Sequence, residues 1–413
     1  MSSVKYVVIA VSGKDAPGIT SSLTEILNRD GVKLVDIEQQ VTHGLLSLSM
    51  VVTGVEDADH SLLKDLLFKA KELGLTLDFR VVDGEVSLRS STSRFVITLM
   101  SLDLKAQHVA TVSSVLAKRG VNIDSIKKLN EKGLSCLELT TYTNSVIDIS
   151  ALKDDLLRVG SRFPNVDIAV QKENLYRRSK RVVVMDMDST LIQIEVIDEL
   201  AKLAGVGDQV SKITEQAMAG EIQFNESIQK RVSLLKGLTE STMQKLAQNI
   251  PLTDGAEVLV QVLKKLGYKI ALISGGFSYF GEILKERLGL HYVFTNVLEI
   301  QNGMLTGNLV GEIINAEKKA AILEQIANWE GVSTESVIAI GDGANDILML
   351  KKAGLGIAFN AKKKTREAAS AAINQKTLAS ILYLLGITDK DIEEVSKSRT
   401  VTGEKLPSPA LPQ

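Results

Sequence analysis

The pattern of apolar and polar positions divides the chain into a duplicated first part and a different second part. In residues 1–172, short apolar strands and helix-period stretches follow one another in the order βαββαβ, and this order occurs twice. Gly31-Val32 recurs as Gly120-Val121, 89 residues later. A repeat of that length indicates duplicated domains rather than short solenoid units. We therefore predict one βαββαβ domain at residues 1–88 and a second at residues 89–172.

Three apolar runs in the second part predict a parallel sheet. Val182–Met185, Ile270–Ile273 and Val337–Ile340 are separated by long helical stretches, which is typical of the buried central strands of an α/β protein. Each run ends in a polar or glycine-rich cluster, and ligands bind beyond the carboxyl ends of such strands. The connection between the first two runs is much longer than one crossover helix needs. We predict that residues 198–250 form an inserted helical cap over the strand ends.

The remaining segments are assigned by composition. Residues 173–181 are polar and basic, and we expect a linker whose charges are solvated. The α/β domain then spans residues 182–396. Residues 397–413 contain three of the six prolines and little that is apolar, so we expect a disordered tail.

Composition narrows the class of protein. With 413 residues, 45% hydrophobic and 24% charged, the chain has the composition of a globular protein with several domains. A net charge of −2 argues against a nucleic-acid-coating protein. The single cysteine, Cys136, excludes a disulfide framework and a thiolate zinc cluster. We find no signal peptide and no apolar run of about 18 residues, so we expect a soluble cytoplasmic protein without a membrane partner.

Four carboxylates lie at the predicted strand ends. Asp186 and Asp188 follow the first apolar run, Asp342 follows the third, and Asp346 comes one helical turn later. Any one of them could be a helix N-cap, but converging carboxylates repel one another unless a cation neutralises them. Oxygen ligands of this kind favour Mg²⁺. The set as a whole therefore predicts a magnesium site.

Groups that suit a phosphate accompany these acids. Ser274-Gly275-Gly276 offers a hydroxyl and backbone N–H groups at a predicted helix start. Lys318 or Lys319, just before another predicted helix, could balance phosphate and carboxylate charge. An aspartate nucleophile such as Asp186 can form an aspartyl-phosphate, with Asp188 placed to donate and accept the proton. Phosphoryl transfer needs mainly such positioning and charge neutralisation.

The ordered motifs resemble a known superfamily. DMDST, the SGG cluster, Lys319 and GDGAND resemble the four motifs of the haloacid dehalogenase (HAD) superfamily of phosphatases. The longer segments DMDSTLIQIEVIDEL, ISGGF and GDGANDILML are more specifically similar to the phosphoserine phosphatases, over residues 182 to about 385. The resemblance implies an HAD-like α/β fold: a doubly wound parallel sheet with an inserted helical cap.

The resemblance also implies roles for individual residues. It makes Asp186 the nucleophile and Asp188 the general acid/base. It implies that Mg²⁺ is bound by Asp186, the main-chain carbonyl of Asp188, and Asp342, with Asp346 supporting the metal site. The residues implied to hold the phosphoryl group are Ser274, Gly275, Lys319 and Asn345.

Substrate-selecting residues are implied in and near the cap. Glu195 and Arg231 resemble the family's ligands for the ammonium and carboxylate of phosphoserine, and an arginine fork suits a carboxylate. Met218 and Phe224 resemble apolar cap residues that exclude water on closure. The alternatives are that Met218 and Phe224 are ordinary cap core, and that Arg231 belongs to a helix surface pair.

The two βαββαβ copies resemble ACT domains, which often bind amino acids. Asp15-Ala16-Pro17-Gly18 resembles their ligand turn, and Gly18 would let a ligand approach the backbone. The second copy has Ala106-Gln107 where the first has Pro17-Gly18. We expect amino-acid regulation, with serine as the candidate ligand, and a homodimer. A purely structural or dimerising ACT pair is the alternative.

The activity implied by the resemblance is Mg²⁺-dependent hydrolysis of O-phospho-L-serine to L-serine and phosphate, the last step of serine biosynthesis. One alternative keeps the chemistry but takes another small phosphomonoester, for which Glu195 and Arg231 would both be unnecessary. The other is an amino-acid sensor with a silent phosphatase-like domain. That alternative predicts erosion of the catalytic motifs, which are all present.

Overall fold

The computed structural model describes residues 5–28, 32–54, 60–83, 93–130, 133–163 and 165–397. The chain divides near residue 90 into two compact units. Gly31 and the predicted disordered tail beyond Lys397 lie outside the described residues, so the predictions made for them stay predictions.

The first unit is an antiparallel sheet with helices on one face. Its elements are β1 (Lys5–Lys14), α1 (Ile19–Leu27), β2 (Lys33–Thr42), β3 (Leu45–Thr53), α2 (His60–Glu72) and β4 (Thr76–Asp83). The strand order is β2-β3-β1-β4. Ile9 pairs with Met50, and both are fully buried against the helix residues Leu23 and Leu66. Side chains of period two on the strands and period 3.6 on the helices thus build one core, in the predicted βαββαβ order.

The second unit opens with the other βαββαβ copy. Its elements are β5 (Ser93–Ser101), α3 (Ala106–Lys118), β6 (Asn122–Lys128), β7 (Ser135–Thr143), α4 (Ile149–Arg162) and β8 (Asp167–Lys172). Asp148 caps α4 by accepting hydrogen bonds from the backbone N–H groups of Ser150 and Ala151. The strand order β8-β5-β7-β6 matches the topology of the first copy.

The α/β body follows in the same unit. Its elements are α5 (Leu175–Arg178), β9 (Val182–Met185), α6 (Val196–Leu203), α7 (Gly207–Ala219), α8 (Phe224–Ser233), α9 (Glu240–Gln248), α10 (Ala256–Lys265), β10 (Lys269–Phe277), α11 (Ser278–Leu288), β11 (Tyr292–Gln301), β12 (Met304–Val310), α12 (Ala316–Trp329), β13 (Val337–Gly341), α13 (Ile347–Lys352), β14 (Leu355–Phe359), α14 (Lys363–Ala368), β15 (Ala371–Ile373), α15 (Ile381–Leu384) and α16 (Asp389–Lys397). Strands β11, β10, β9, β13, β14 and β15 pair in parallel. Helices α6 to α9 occupy the region predicted as the cap.

The second βαββαβ copy and the α/β body share one continuous sheet. Strand β15 pairs with β8 in antiparallel register, Ala371 opposite Ala169. Asp167 is 3% exposed, and its carboxylate accepts from the Asn374 backbone N–H at 2.9 Å and from Gln375 Nε2 at 2.7 Å. A buried carboxylate with several N–H donors is stably accommodated. The sequence pattern did not predict this fusion of the two sheets.

The segment predicted as a solvated linker is packed into the second unit. Arg177, on α5, is 5% exposed and forms an ion pair with the buried carboxylate of Glu138 on β7 and another with Glu173. Lys180 is 3% exposed and donates to the backbone carbonyl of Glu335. The expectation that these charges are solvated is therefore wrong for Arg177 and Lys180, because Arg177 pairs with the buried Glu138 and the buried Lys180 donates to a backbone carbonyl.

Helix α12 begins earlier than its apolar pattern suggested. Asn315 caps it, since its Oδ1 accepts from the Lys318 backbone N–H at 2.9 Å. Lys318 and Lys319 therefore lie within the first turns of the helix rather than before it. The consequence is that Lys319 points inward from a rigid element.

Candidate active site

The carboxyl ends of β9, β10 and β13 meet at one edge of the parallel sheet. Val183 of β9 lies opposite Ile270 on one side and Ile338 on the other. The backbone N–H of Asp186 extends this pairing by donating to Ile340 O at 3.0 Å. The strand connections diverge on either side of β9, which makes this edge a topological switch point where ligands bind.

A buried lysine lies between two carboxylates at this edge. The Lys319 Nζ atom is 2.9 Å from Asp186 Oδ1 and 2.7 Å from Asp346 Oδ1, and the Lys319 side chain is fully buried. Burial opposes the charged form of Lys319, but the two carboxylates outweigh it and raise the lysine pKa. The ammonium is therefore charged at neutral pH and fixes the nearer oxygen of each acid.

Three carboxylates crowd the same point. One oxygen each of Asp186, Asp342 and Asp346 lies within 4.8 Å of the other two. Burial, with the charges of Asp186 and Asp346, raises the pKa of Asp342 to about 7. Asp346 already accepts from Lys319 and, at 2.9 Å, from the Gly343 backbone N–H. One lysine cannot neutralise three acids, so the hard-oxygen donor set fits a small divalent cation such as Mg²⁺.

Asp188 lies beside this cluster in a different environment. Its Oδ1 accepts from the Val196 backbone N–H at 2.8 Å, and its Oδ2 is 3.4 Å from the donating hydroxyl of Ser274. Burial and the negative charges of Glu195 and Asp186 raise the pKa of Asp188 well above its usual range. This shift favours the protonated form of Asp188, which can act as a proton donor.

The chain turns sharply between Asp186 and Glu195. Asp186 Oδ1 accepts from the Met187 backbone N–H at 2.8 Å. Ser189 then adopts a φ of 54°, in the left-handed region that is rare for residues other than glycine. The turn brings the Ser189 hydroxyl to 2.7 Å from Glu195 Oε1, to which it donates. Backbone strain at such a position is typical of functional sites.

The Ser274-Gly275-Gly276 segment bulges out of the sheet. Strand β10 pairs with β11 at Ile273 and again at Phe277, and the register shifts between these two residues. Gly276 has no room for a side chain, since a Cβ atom there would lie 2.4 Å from Met187 Cε and 2.6 Å from Asp188 Oδ2. Its backbone N–H donates to Ser274 Oγ at 2.9 Å. Glycine thus allows the segment to contact Asp188 directly.

Helix α8 of the cap presents two predicted residues to the site. Phe224 and Arg231 are two turns apart and so share one face. The Phe224 ring lies against the Gly275 backbone, with Cζ 3.2 Å from where a Cβ atom of Gly275 would be. Arg231 donates from NH1 to Thr214 Oγ1 at 3.5 Å, while its buried Nε has no hydrogen-bond partner among the described residues. A half-buried guanidinium whose buried Nε has no partner among the described residues is suited to an additional anion.

Electrostatics connect Arg231 to Glu195. Burial lowers the pKa of Arg231, and the charges of Asp198, Glu195 and Asp188 oppose that effect. The carboxylate of Glu195 remains partly exposed. A positive and a negative group therefore lie beside the carboxylate cluster, and their roles as substrate ligands stay predictions.

Asn345 and Met218 are the remaining predicted residues of the phosphatase site. Asn345 is partly buried in the short 3-10 turn Ala344–Asp346, next to the carboxylate cluster. Met218 belongs to α7, and its side chain lies outside the described part of the structure. Its predicted contact with substrate stays a prediction.

Other residues that shape the site were not singled out by sequence reasoning. Thr190 is fully buried and donates to Asp342 Oδ1 at 3.1 Å, while its own carbonyl accepts from Thr253 Oγ1 at 2.7 Å. Gly341 is required because a Cβ atom there would be 2.5 Å from Asp346 Cγ. Asn296 Nδ2 donates a hydrogen bond to the backbone carbonyl of Gly275 in the glycine segment. Thr190 lies in the DMDST motif and Gly341 ends an apolar run, which is a usable signal, whereas Asn296 has none.

The predicted ligand turn of the first unit lies just before helix α1, and its role in binding stays a prediction. Gly18 adopts a φ of 92° immediately before α1, a conformation that favours glycine. The Asp15 backbone N–H donates to Gly44 O at 2.9 Å, which joins the turn to the β2–β3 hairpin. Helix α1 therefore begins at an exposed glycine.

Comparison with known proteins identifies the family. A phosphoserine phosphatase of Streptomyces coelicolor is 40% identical over 393 residues, which cover 95% of both chains. The phosphoserine phosphatase SerB2 of Mycobacterium tuberculosis is 40% identical over 389 residues, 94% of each chain. The chain belongs to the phosphoserine phosphatase family.

The family models and a solved relative agree with this membership. A model for haloacid dehalogenase-like hydrolases matches residues 180–354, and ACT-domain models match residues 5–80 and 93–171. The crystal structure of a probable phosphoserine phosphatase from Vibrio cholerae, in its unliganded form, has a TM-score of 0.56 and 30% identity, covering 75% of this chain and 91% of that one. The predicted fold class, an HAD-like domain after two ACT domains, is confirmed.

Within the described residues, the helices are too short or too polar to cross a membrane.

Proposed function

We propose that this protein hydrolyses O-phospho-L-serine to L-serine and phosphate through an aspartyl-phosphate on Asp186. The observation that carries the proposal is the pairing of two unlike carboxyl groups. Asp186 is held by the charged Lys319, whereas burial and the charges of Glu195 and Asp186 raise the pKa of Asp188 and favour its protonated form. One is thus suited to act as nucleophile and the other as general acid.

Mg²⁺ is the proposed cofactor. Asp186 and Asp342, with the main-chain carbonyl of Asp188, are the proposed ligands, and the donor set is one of hard oxygens. Asp346 supports the site from behind, because both of its oxygens already accept hydrogen bonds. When bound, Mg²⁺ would neutralise the crowded carboxylates and the charge that develops on the phosphoryl oxygens.

The first step transfers the phosphoryl group to the enzyme. A carboxylate oxygen of Asp186 attacks phosphorus, and the bond between phosphorus and the serine Oγ breaks. Asp188 gives its proton to that leaving oxygen, which departs as the hydroxyl of L-serine. Ser274, the Gly275 backbone, Lys319 and Asn345 are proposed to hold the phosphoryl oxygens, at the positions that surround the carboxylate cluster.

The second step regenerates the enzyme. Asp188, now a carboxylate, accepts a proton from a water molecule while the oxygen of that water attacks phosphorus. The bond between phosphorus and the Asp186 oxygen breaks, which releases phosphate and restores both acids to their starting states. Closure of Phe224, and by prediction Met218, over the Ser274–Gly276 segment would exclude other water.

Selection of phosphoserine is assigned to Arg231 and Glu195. The buried Nε of Arg231 has a donor to spare, which suits the substrate carboxylate. Glu195 is oriented by the Ser189 hydroxyl and suits the substrate ammonium. A phosphomonoester without these two groups would leave both residues unpaired, so hydrolysis of such an ester is the less favoured alternative.

The two ACT domains are proposed to regulate the enzyme. The exposed turn at Gly18, with Asp15 beside it, is the candidate site for an amino acid, and the product serine is the proposed ligand. The proposed domain boundaries remain 1–88, 89–172 and 182–396, with 173–181 joining the second ACT domain to the phosphatase body. A homodimer is also proposed, on the strength of the ACT resemblance alone.

The test is phosphate release from O-phospho-L-serine by wild type and Asp186→Asn, with Mg²⁺ and with EDTA. We expect rapid release only from wild type with Mg²⁺. Phosphothreonine and a sugar phosphate serve as competing substrates, and faster release from either would overturn the substrate assignment. No release from any ester would favour the silent sensor.

A further inference from the structure

Asn296 is a buried polar side chain near the phosphate segment, and both ends of its amide are hydrogen-bonded. It lies on β11, opposite Phe277 of β10, at the far end of the bulge that contains Ser274–Gly276. It is 2% exposed. A buried amide needs partners for both its oxygen and its nitrogen, and here each has one.

The two ends of this amide bond to two different segments. The Asn296 Nδ2 atom donates to Gly275 O at 2.7 Å. The Asn296 Oδ1 atom accepts from the Ile314 backbone N–H at 2.8 Å. A carbonyl can meet only the NH₂ end and an N–H only the oxygen end, so the orientation of the amide is fixed.

The hydrogen bond from Asn296 to Gly275 O fixes the peptide plane between Gly275 and Gly276. In a trans peptide the C=O and N–H groups point in opposite directions. Asn296 holds the C=O, and Ser274 Oγ accepts from the Gly276 N–H at 2.9 Å. The Ser274 hydroxyl oxygen is thus engaged as an acceptor from one side, which leaves its hydrogen directed at the site, where it donates toward Asp188 Oδ2.

The hydrogen bond from the Ile314 backbone N–H to Asn296 connects strand β11 to the start of helix α12. Ile314 directly precedes Asn315, the residue that caps α12, and Lys319 follows in its first turns. Ile314 O also lies only 3.5 Å from where a Cβ atom of Gly275 would be. The segments that carry Ser274 and Lys319 therefore lie side by side, and Asn296 bonds to both.

We infer that Asn296 is a positioning residue that sets the separation between the Ser274 hydroxyl and the Lys319 ammonium, so that both meet one phosphoryl group. This inference rests on the proposed function, because it assumes that these two groups hold the phosphate. Asn296 itself does not contact the reacting atoms. Its effect is on the geometry of the phosphate site, where a shift of about 1 Å can lower the rate 100-fold.

The main test is Asn296→Asp, assayed with Mg²⁺ between pH 5.5 and 8. When ionised, the new carboxylate still accepts from Ile314 but repels Gly275 O. When protonated, its O–H can donate to that carbonyl as the amide did. We expect kcat to be about 10- to 100-fold below wild type at pH 8. Because burial raises the pKa of a carboxyl group, we expect this deficit to shrink by about fivefold or more toward pH 5.5.

Inorganic phosphate binding, measured by titration calorimetry with Mg²⁺ present, gives a readout that does not require turnover. We expect its Kd to rise about tenfold in the variant at pH 8, as for the loss of one hydrogen bond that orients a charge-binding group. If wild type does not hydrolyse phosphoserine, the proposed function fails, but this comparison still decides the role of Asn296.

Two further variants make the result unambiguous. Asn296→Ala removes both contacts without adding charge, so its deficit should not shrink at low pH, and it replaces the aspartate variant if that one does not fold. Asn249→Asp is the matched control, since Asn249 Nδ2 also donates to a backbone carbonyl, Lys245 O at 2.8 Å, but on the exposed end of α9. Circular dichroism at each pH confirms that all variants are folded. Wild-type kcat and phosphate affinity in folded Asn296→Ala, or the same deficit for Asn296→Asp at every pH, would overturn the inference.

Discussion

Replacing Lys319 with methionine tests whether the site is held together by its buried charges. Lys319 is fully buried and lies 2.9 Å from Asp186 and 2.7 Å from Asp346, both of which are also buried. Methionine has a similar volume but no charge, so it leaves two acids without their cation. Removing one partner of a buried ion pair typically destabilises a protein by about 3–5 kcal/mol. We expect a loss of that size at pH 8 in the absence of Mg²⁺.

The pH dependence of this loss follows from the direction of each pKa shift. The pKa of Lys319 is raised, so its stabilising charge is present below its usual pKa and is lost only as the pH rises through the higher folded value. In the variant, the crowded acids instead relieve their repulsion by binding protons. The pKa of Asp342 is already about 7 and that of Asp346 about 6 in wild type. The gap between variant and wild type should therefore be widest near pH 8 and should narrow toward pH 5.

The assay is urea unfolding followed by the fluorescence of Trp329, the single tryptophan, which lies on the same helix as Lys319. Measurements are made in EDTA and in Mg²⁺, and Mg²⁺ should reduce the gap by neutralising the acids. Lys318→Met is the matched control. The Lys318 side chain is 40% exposed and pairs with Glu312 at the surface, where solvent screens the ion pair and leaves it little effect on stability. Equal unfolding midpoints for the two variants at pH 8 in EDTA would refute this account of the site.

Two further predictions concern the glycine segment and the metal site. Gly276→Ala should lower kcat about 100-fold, because its Cβ atom would lie 2.6 Å from Asp188 Oδ2 and displace that carboxyl. Gly207→Ala, where the nearest atom to a new Cβ is 3.9 Å away, should keep wild-type kcat in the same phosphate-release assay. Apparent Mg²⁺ affinity should weaken as the pH falls below about 7, since burial and two neighbouring acids raise the pKa of Asp342 to that value and Mg²⁺ requires the carboxylate. Calorimetric Mg²⁺ titrations at pH 5.5, 6.5 and 8 measure this, and an unchanged Kd would contradict the role given to Asp342.

The elements that carry a strong hydrophobic period were predictable from the chain. The two βαββαβ copies, the three central strands and the helical cap all follow from local alternation, and the structure has each of them. The β11–β12 hairpin and the short strand β15 did not emerge from that pattern. Burial there depends on neighbouring strands, and a three-residue strand is too short to show a period.

The acidic residues of the candidate site were predictable from the sequence, but the residues that position the site were not. Asp186, Asp188 and Asp342 follow apolar runs, so their convergence follows from parallel strands ending at one edge. Asn296 lies within a strand and is separated from the glycine segment by about 20 residues, so its contact arises only when β10 and β11 pair. Nothing in its local sequence distinguishes it from an exposed asparagine.

The chain composition and its motifs were enough to establish the fold class, the order of the domains and the type of chemistry, because these depend on period, spacing and residue type. Tertiary structure alone decided which charges are buried. Arg177 and Lys180 looked like a solvated basic run, but they are buried because Glu138 and the Glu335 carbonyl face them. The free energy of a buried charge depends on the partner that folding brings to it, and that partner can be distant in sequence.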